Sequence, residues 1–246
     1  MAIFANMRTK IMALLTIALL VIACAGNSDK EKTMNTPGTD LTYLALGDSY
    51  TIGESVPENE RWPVQLVAAL NSEGVPFQPP RIIARTGWTT GELIQAIEDE
   101  NVTERYSLVS LLIGVNNQYR GLPSEEFREE FTALLKTAIG FTGNGGRVVV
   151  LTIPDWGVTP FAERRDGEAI AEEIDLFNDI VKSVSSNFEV PCYDITAISR
   201  EAADNISLVA EDGLHPSGKM YGLWVQSILP DIVSMFQDKQ GRDPGP

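Results

Sequence analysis

The chain has 246 residues, 43% of them hydrophobic, which suffices for one domain with a sizeable core. Its 34 acidic residues against 19 basic ones give a formal charge of −15, an excess that repels phosphate backbones and excludes nucleic acid as a partner. One histidine and two cysteines make no zinc-binding constellation, no calcium-loop pattern is present, and neither a metal nor a cofactor is expected.

At the N-terminus, Arg8 and Lys10 precede an apolar run from Ile11 to Ala23. This run is too short to span a bilayer comfortably and fits the apolar region of an export signal. It ends at Val21-Ile22-Ala23-Cys24, which resembles the lipobox of bacterial lipoproteins. The resemblance implies that residues 1–23 are removed and that a lipidated Cys24 holds the protein to a membrane of the bacterial cell envelope, facing away from the cytoplasm. Ala25 after Cys24 leans toward the outer membrane. Residues 24–40 are polar and read as a flexible tether, 41–238 as the folded domain and 239–246 as a disordered tail. With Cys24 lipidated no intrachain disulfide is possible, and Cys192 reads as a small buried residue rather than a nucleophile.

After the tether, short apolar runs alternate with amphipathic ones. Leu41 to Leu46, Arg81 to Ala84, Leu108 to Ile113, Arg147 to Ile153 and Val190 to Ile195 read as strands. Pro63 starts a helix with Val64, Val67 and Leu70 inward. Thr89 and Glu92 form a capping box ahead of Leu93, Ile94 and Ile97. Helical spacing recurs in Phe127, Phe131, Leu134 and Ala138, and again from Ile170 through Ile174, Phe177, Val181 and Val184 to Phe188. The glycine-rich stretch 140–146 precedes a strand and reads as a turn. A last helix spans Lys219 to Phe236, with Pro230 kinking or splitting it. The alternation predicts an α/β fold: a parallel sheet of about five strands with helices on both faces.

In such sheets ligands bind beyond the carboxyl ends of the strands. That rim gathers Gly47-Asp48-Ser49, Arg85-Thr86-Gly87-Trp88, Gly114-Val115-Asn116-Asn117 and Pro154-Asp155-Trp156, and the segment after the last strand adds Asp212-Gly213-Leu214-His215. Ser49 alone would pass as a helix cap and His215 alone as a surface residue; their joint position suggests acyl transfer. A serine needs a base to take its proton, and an imidazole base needs an acceptor on its other nitrogen. Ser49, His215 and Asp212 supply those parts. The N–H groups of Ser49 and Gly87 and the side-chain amide of Asn116 are candidate donors to an oxyanion.

Ser49 in GDSY, Gly87 in RTGWTTGE, Asn116 in GVNN and His215 in DGLHPS resemble, in order and spacing, the four blocks of the GDSL or SGNH hydrolases. The resemblance covers roughly residues 41–236. It implies the flavodoxin-like three-layer α/β/α SGNH hydrolase fold. By carry-over Ser49 is the nucleophile, His215 the general base and acid, and Asp212 its partner, with Ser49, Gly87 and Asn116 forming the oxyanion hole. The implied activity is hydrolysis of carboxylic esters through an acyl-enzyme, with a small-molecule ester as the partner: a small acyl group on a sugar, glycerol or lysolipid. A lysophospholipase, an acyl-thioesterase and a non-catalytic carbohydrate- or lipid-binding module remain alternatives.

Two departures stand out: Tyr50 replaces the family's leucine, and Asn117 replaces a common aspartate. Thr51 in place of a glycine excludes the Gly-x-Ser-x-Gly elbow of ordinary α/β-hydrolases. Trp88, Tyr119 and Trp156 lie near the rim as candidates to stack on a sugar or line an acyl pocket, and Arg120 as a partner for an anionic group.

Overall fold

The computed structural model describes residues 41–237, without the side chains of residues 144–146. The expected signal segment 1–23, the tether 24–40 with Cys24, and the tail 239–246 lie outside the described residues. Among the described residues five strands form one sheet: β1 (Tyr43–Gly47), β2 (Arg81–Ala84), β3 (Tyr106–Leu112), β4 (Thr142–Leu151) and β5 (Cys192–Tyr193). They lie in the order β2-β1-β3-β4-β5, and every pair is parallel. The chain leaves β1 toward β2 and leaves β3 toward β4, so the connections diverge between these two strands. That topological switch opens a crevice at the carboxyl ends of β1 and β3.

The helices are α1 (Ser49–Ile52), α2 (Trp62–Ser72), α3 (Thr90–Glu100), α4 (Val115–Tyr119), α5 (Ser124–Gly140), α6 (Gly167–Asn187), α7 (Thr196–Arg200) and α8 (Gly218–Gln237). Helix α2 packs on α8 in one layer, while α3, α5 and α6 pack side by side in the other. The result is the flavodoxin-like three-layer α/β/α architecture. Covered on both faces, the central strands are almost wholly apolar, with Leu44, Ala45, Leu46, Leu108, Val109, Leu111 and Leu112 fully buried. Each such leucine contributes about 1.5–3 kcal/mol relative to an exposed one. The polar exception, Ser110, is satisfied by the Tyr43 hydroxyl of the neighbouring strand at 2.8 Å.

Local signals place the helices as expected, with four differences. Thr89 accepts the Glu92 N–H while the Glu92 side chain accepts the Thr89 N–H, which completes the capping box of α3. In α2, Leu66 rather than Val64 joins Val67 and Leu70 in the core, because the inward stripe is set by Trp62 at the helix start. Strand β4 begins inside the glycine-rich stretch: Tyr106 pairs with Thr142 and Leu108 with Arg147, so the intervening residues bulge out of register instead of forming a separate turn. Strand β5 is only two residues long, because Asp194 Oδ1 accepts the Thr196 N–H at 3.1 Å and turns the chain into α7. Helix α8 runs unbroken through Pro230.

Candidate active site

Ser49 is the first residue of α1, directly after β1. Asp48 caps this short helix through Oδ1, which accepts the Tyr50 N–H at 3.0 Å, and its carbonyl accepts the N–H groups of Thr51 and Ile52 at 3.1 and 2.9 Å. As a first-turn residue Ser49 keeps its own N–H outside the helical ladder. The turn needs glycine at position 47: a Cβ there would stand 2.2 Å from Thr51 Oγ1 and 2.4 Å from the Leu112 carbonyl oxygen. Burial pushes the Asp48 carboxyl up to about 7, against backbone hydrogen bonds from Tyr50, Asp48 and Gly114 that pull it down. Its Oδ2 is buried with no hydrogen-bond partner.

The loops after β2 and β3 meet beside this turn. Gly87 has a left-handed φ of +89°, open to glycine and costly for other residues. Its carbonyl accepts Arg120 Nη2 at 2.5 Å. One hydrogen of the Asn116 amide nitrogen goes to the Trp88 carbonyl at 2.9 Å, which fixes the amide plane and leaves the second hydrogen available. Asn117 is fully buried and staples this loop to the start of α3. Its Oδ1 accepts the Thr90 N–H at 3.0 Å and its Nδ2 donates to Thr90 Oγ1 at 2.6 Å. Because the Thr90 hydroxyl proton is directed to Glu130, Thr90 Oγ1 needs a donor from position 117, which an ionised aspartate could not supply. The departure to asparagine is therefore structural.

Asp212 and His215 sit on the irregular segment between α7 and α8. Asp212 Oδ1 accepts the N–H groups of Leu214 and His215 at 2.9 and 3.0 Å. Its Oδ2 accepts His215 Nδ1 at 2.5 Å and Ser55 Oγ at 2.8 Å. Burial would raise the Asp212 carboxyl, but these donors outweigh it, His215 foremost, and hold it at about 2. With Nδ1 bound to a carboxylate, the ring carries its proton there and Nε2 is left as a base. The His215 ring packs edge-on against Tyr50, with centroids 5.7 Å apart, directly beside Ser49 in sequence. Tyr50 thus supports the imidazole.

Ser49, Gly87, Asn116 and His215 line one cavity of about 180 Å³. No hydrogen bond joins Ser49 to His215 among the described residues; such bonds are often long without substrate and tighten in the complex. Of the four expected rim residues, Tyr119 and Trp156 line the cavity, whereas Trp88 and Arg120 do not. Trp88 packs against the core and offers its carbonyl to Asn116. Arg120 is held by the Gly87 carbonyl and by Glu92, 3.2 Å from Glu92 Oε2, so its charge is already paired.

Thr86, Val115 and Leu214, which lie in the rim segments but were given no role from sequence, also line the cavity wall; sequence reasoning missed Phe161 there and Ser55 behind Asp212. Phe161 follows β4 on the predicted rim and was within reach of the strand-end rule. Ser55 carried no such signal, since its left-handed φ of +64° is invisible in sequence. Cys192 is half-buried, and burial raises its thiol to about 11 although the Lys182 charge pulls the other way, so it stays protonated. Among the described residues no group of three His, Cys, Asp or Glu side chains is placed to hold a metal ion.

Several solved structures share this fold. TesA aligns with a TM-score of 0.64 at 16% identity, covering 79% of this chain and 99% of its own. Axe2, an acetylxylan esterase from Geobacillus stearothermophilus, aligns with a TM-score of 0.62 at 17% identity, covering 79% of this chain and 95% of its own. The psychrotrophic esterase EstA from Pseudoalteromonas sp. aligns with a TM-score of 0.59 at 19% identity, covering 80% of this chain and all of its own, 100%. At such identities the likeness is one of fold. A comparison with curated proteins finds no match. The GDSL-like Lipase/Acylhydrolase family model matches residues 45–223, a span that holds every cavity residue named above, and the chain therefore belongs to this family of carboxylic ester hydrolases.

Proposed function

We propose that the protein is a serine esterase that hydrolyses esters of small acyl groups. One observation supports this reading above the others: four separate loops bring Ser49, Gly87, Asn116 and the Asp212-bound His215 to one small cavity. His215 Nε2 takes the Ser49 hydroxyl proton as Oγ attacks the ester carbonyl carbon. The oxyanion meets the N–H groups of Ser49 and Gly87 and the free Asn116 amide hydrogen. Collapse breaks the bond to the alcohol oxygen, which leaves with the proton from His215, and water then hydrolyses the acyl-serine by the same proton path.

A cavity of about 180 Å³ lies below the roughly 300–1,000 Å³ of sites for drug-sized ligands, and hydrocarbon and ring surfaces dominate its wall. It suits an acetyl or similarly short acyl group, with the alcohol, a sugar, glycerol or lysolipid, extending outward. The acetylxylan esterase Axe2, which shares the fold, is consistent with that choice. The test is a fluorophosphonate probe together with p-nitrophenyl acetate turnover. Ser49→Ala should abolish labelling and lower kcat by about a millionfold, the scale of losing a triad nucleophile. Labelling that persists in Ser49→Ala would remove Ser49 from the mechanism.

We also propose that Cys24 is lipidated and anchors the enzyme in the bacterial envelope, outside the cytoplasm. Palmitate incorporation in cells that vanishes in Cys24→Ser supports it, and a protein released to the medium without label refutes it.

A further inference from the structure

The loop after β4 has a different hollow on each of its faces. On one face Trp156 and Phe161 line the reaction cavity together with Tyr119 from α4. On the other, Thr159, Pro160, Glu163 and Arg165 border an open hollow of about 760 Å³ that reaches Ile206. The loop contributes to the lining of both, and no described residue lines the two together.

The wall is braced in an unusual way for exposed side chains. Tyr119 and Phe161 are each 44% exposed, yet their rings and that of Trp156 form a mutual cluster with centroids 5.4, 5.9 and 6.3 Å apart. The Arg165 guanidinium lies 5.1, 5.3 and 5.7 Å from the Tyr119, Trp156 and Phe161 centroids and donates to the Tyr119 hydroxyl at 3.1 Å. A cation over three ring faces is attracted to each of them, so one side chain holds the cluster together. Two further bonds fix the base. Trp156 Nε1 donates to Gln118 Oε1 at 2.8 Å, and the Phe161 N–H donates to the Gly213 carbonyl at 2.9 Å, beside Asp212.

We propose that Phe161, clamped by Arg165 against Tyr119 and Trp156, closes the acyl pocket and sets its length limit, so that removing the ring joins the pocket to the hollow behind it. This rests on the esterase reading. It makes Phe161 the specificity-determining residue for the acyl group and Arg165 its positioning partner. An acyl chain that meets the ring end-on has nowhere to place further methylenes, each of which would otherwise add to transition-state binding by leaving water.

The experiment compares wild type, Phe161→Ala and Arg165→Gln on p-nitrophenyl acetate, butyrate and octanoate, and measures octanoate binding to the same proteins by calorimetry. Phe161→Ala should raise the octanoate-to-acetate ratio of kcat/KM by about tenfold or more, and Arg165→Gln should raise it less. Octanoate should bind Phe161→Ala more tightly than wild type. Phe161→Trp, a larger plug at an exposed position, should lower the butyrate-to-acetate ratio and guards against a folding defect in the alanine variant. Ratios that stay within about twofold of wild type in both Phe161 variants would overturn the proposal. If wild type turns over no ester, the esterase reading fails separately, and octanoate binding decides: tighter binding by Phe161→Ala sustains the wall, equal binding removes it.

Discussion

Ser49 and Asn116 stand at the ends of β1 and β3, two strands buried on both faces, whereas Asp212 and His215 ride on an irregular segment between two helices. Steric fit holds the first pair. Gly47 has no room for a Cβ, and Gly114, with φ +132°, would drive one to 2.7 Å from Phe127. Hydrogen bonds hold the second pair: four donors converge on the two oxygens of Asp212, and the backbone is pinned by Ala210 N–H to the His215 carbonyl at 2.7 Å. At the strand ends close packing fixes the backbone, and the Asp48 cap and the Asn116 bond to the Trp88 carbonyl add to it, while the loop segment depends chiefly on its polar pins. Substitutions on the two sides should therefore fail differently.

On the strand side, a side chain at the cavity can be removed without disturbing the scaffold. Asn116 is half-buried, with its neighbours Val115 and Asn117 fixed in place. Asn116→Ala should lower kcat by about a hundredfold or more while Tm and KM stay near wild type. Steady-state kinetics beside a melting curve checks this, and a loss confined to KM would place the amide outside the transition state.

On the loop side, smaller losses should follow from deleting single pins. Ser55 is one of two donors to Asp212 Oδ2, and it holds that post in a left-handed conformation at φ +64°. Ser55→Ala should lower kcat/KM by roughly threefold to tenfold, the scale of one net hydrogen bond. Ser55→Gly loses the same hydroxyl but relieves the backbone, so it should melt higher than Ser55→Ala and be equally impaired. Recovery of activity in the glycine variant would assign the effect to the backbone instead.

The same contrast explains what the sequence revealed. Ser49, Gly87 and Asn116 were legible because strand ends follow from apolar periodicity and the strand-end rule places them on one rim. Asp212 and His215 were legible by residue type and spacing, since one carboxylate three residues before the lone histidine left few alternatives. Phe161 lay within reach of the strand-end rule, whereas Arg165 and Ser55 meet Tyr119 and Asp212 across segments far apart in sequence, which no local period encodes. Trp88 and Arg120 stand outside the cavity for a related reason: nearness to the rim in sequence does not say which way a side chain turns, and the Trp88 ring packs against the core while the Arg120 guanidinium reaches the Gly87 carbonyl. The two-residue β5 fell short of its apolar run because the Asp194 cap ends it early.

Acid titration separates the two sides most finely, because their carboxyls are shifted in opposite directions. Asp48, buried to about 7 when folded against about 4 when unfolded, binds its proton more tightly in the native state. Its contribution is thus fully present below about pH 4, declines as pH rises and is lost above about 7, where a charged Oδ2 lies buried without a partner. Asp212, held at about 2, does the reverse: its contribution is present above about pH 4 and is lost as pH falls through about 2. Asp48→Asn keeps an oxygen to cap the Tyr50 N–H and removes the charge, so its Tm should exceed that of wild type by roughly 5 °C at pH 8, with the gap closing toward pH 4. Asp212→Asn should show the opposite trend, its deficit largest at neutral pH. The Asp48→Asn gap should close between about pH 8 and 4 and the Asp212→Asn deficit only between about pH 4 and 2. Melting curves of both variants from about pH 8 to about pH 2 would break the comparison if the Asp48→Asn gap stayed constant down to about pH 4, since the nucleophile side would then lack the unpaired buried charge that distinguishes it from the loop.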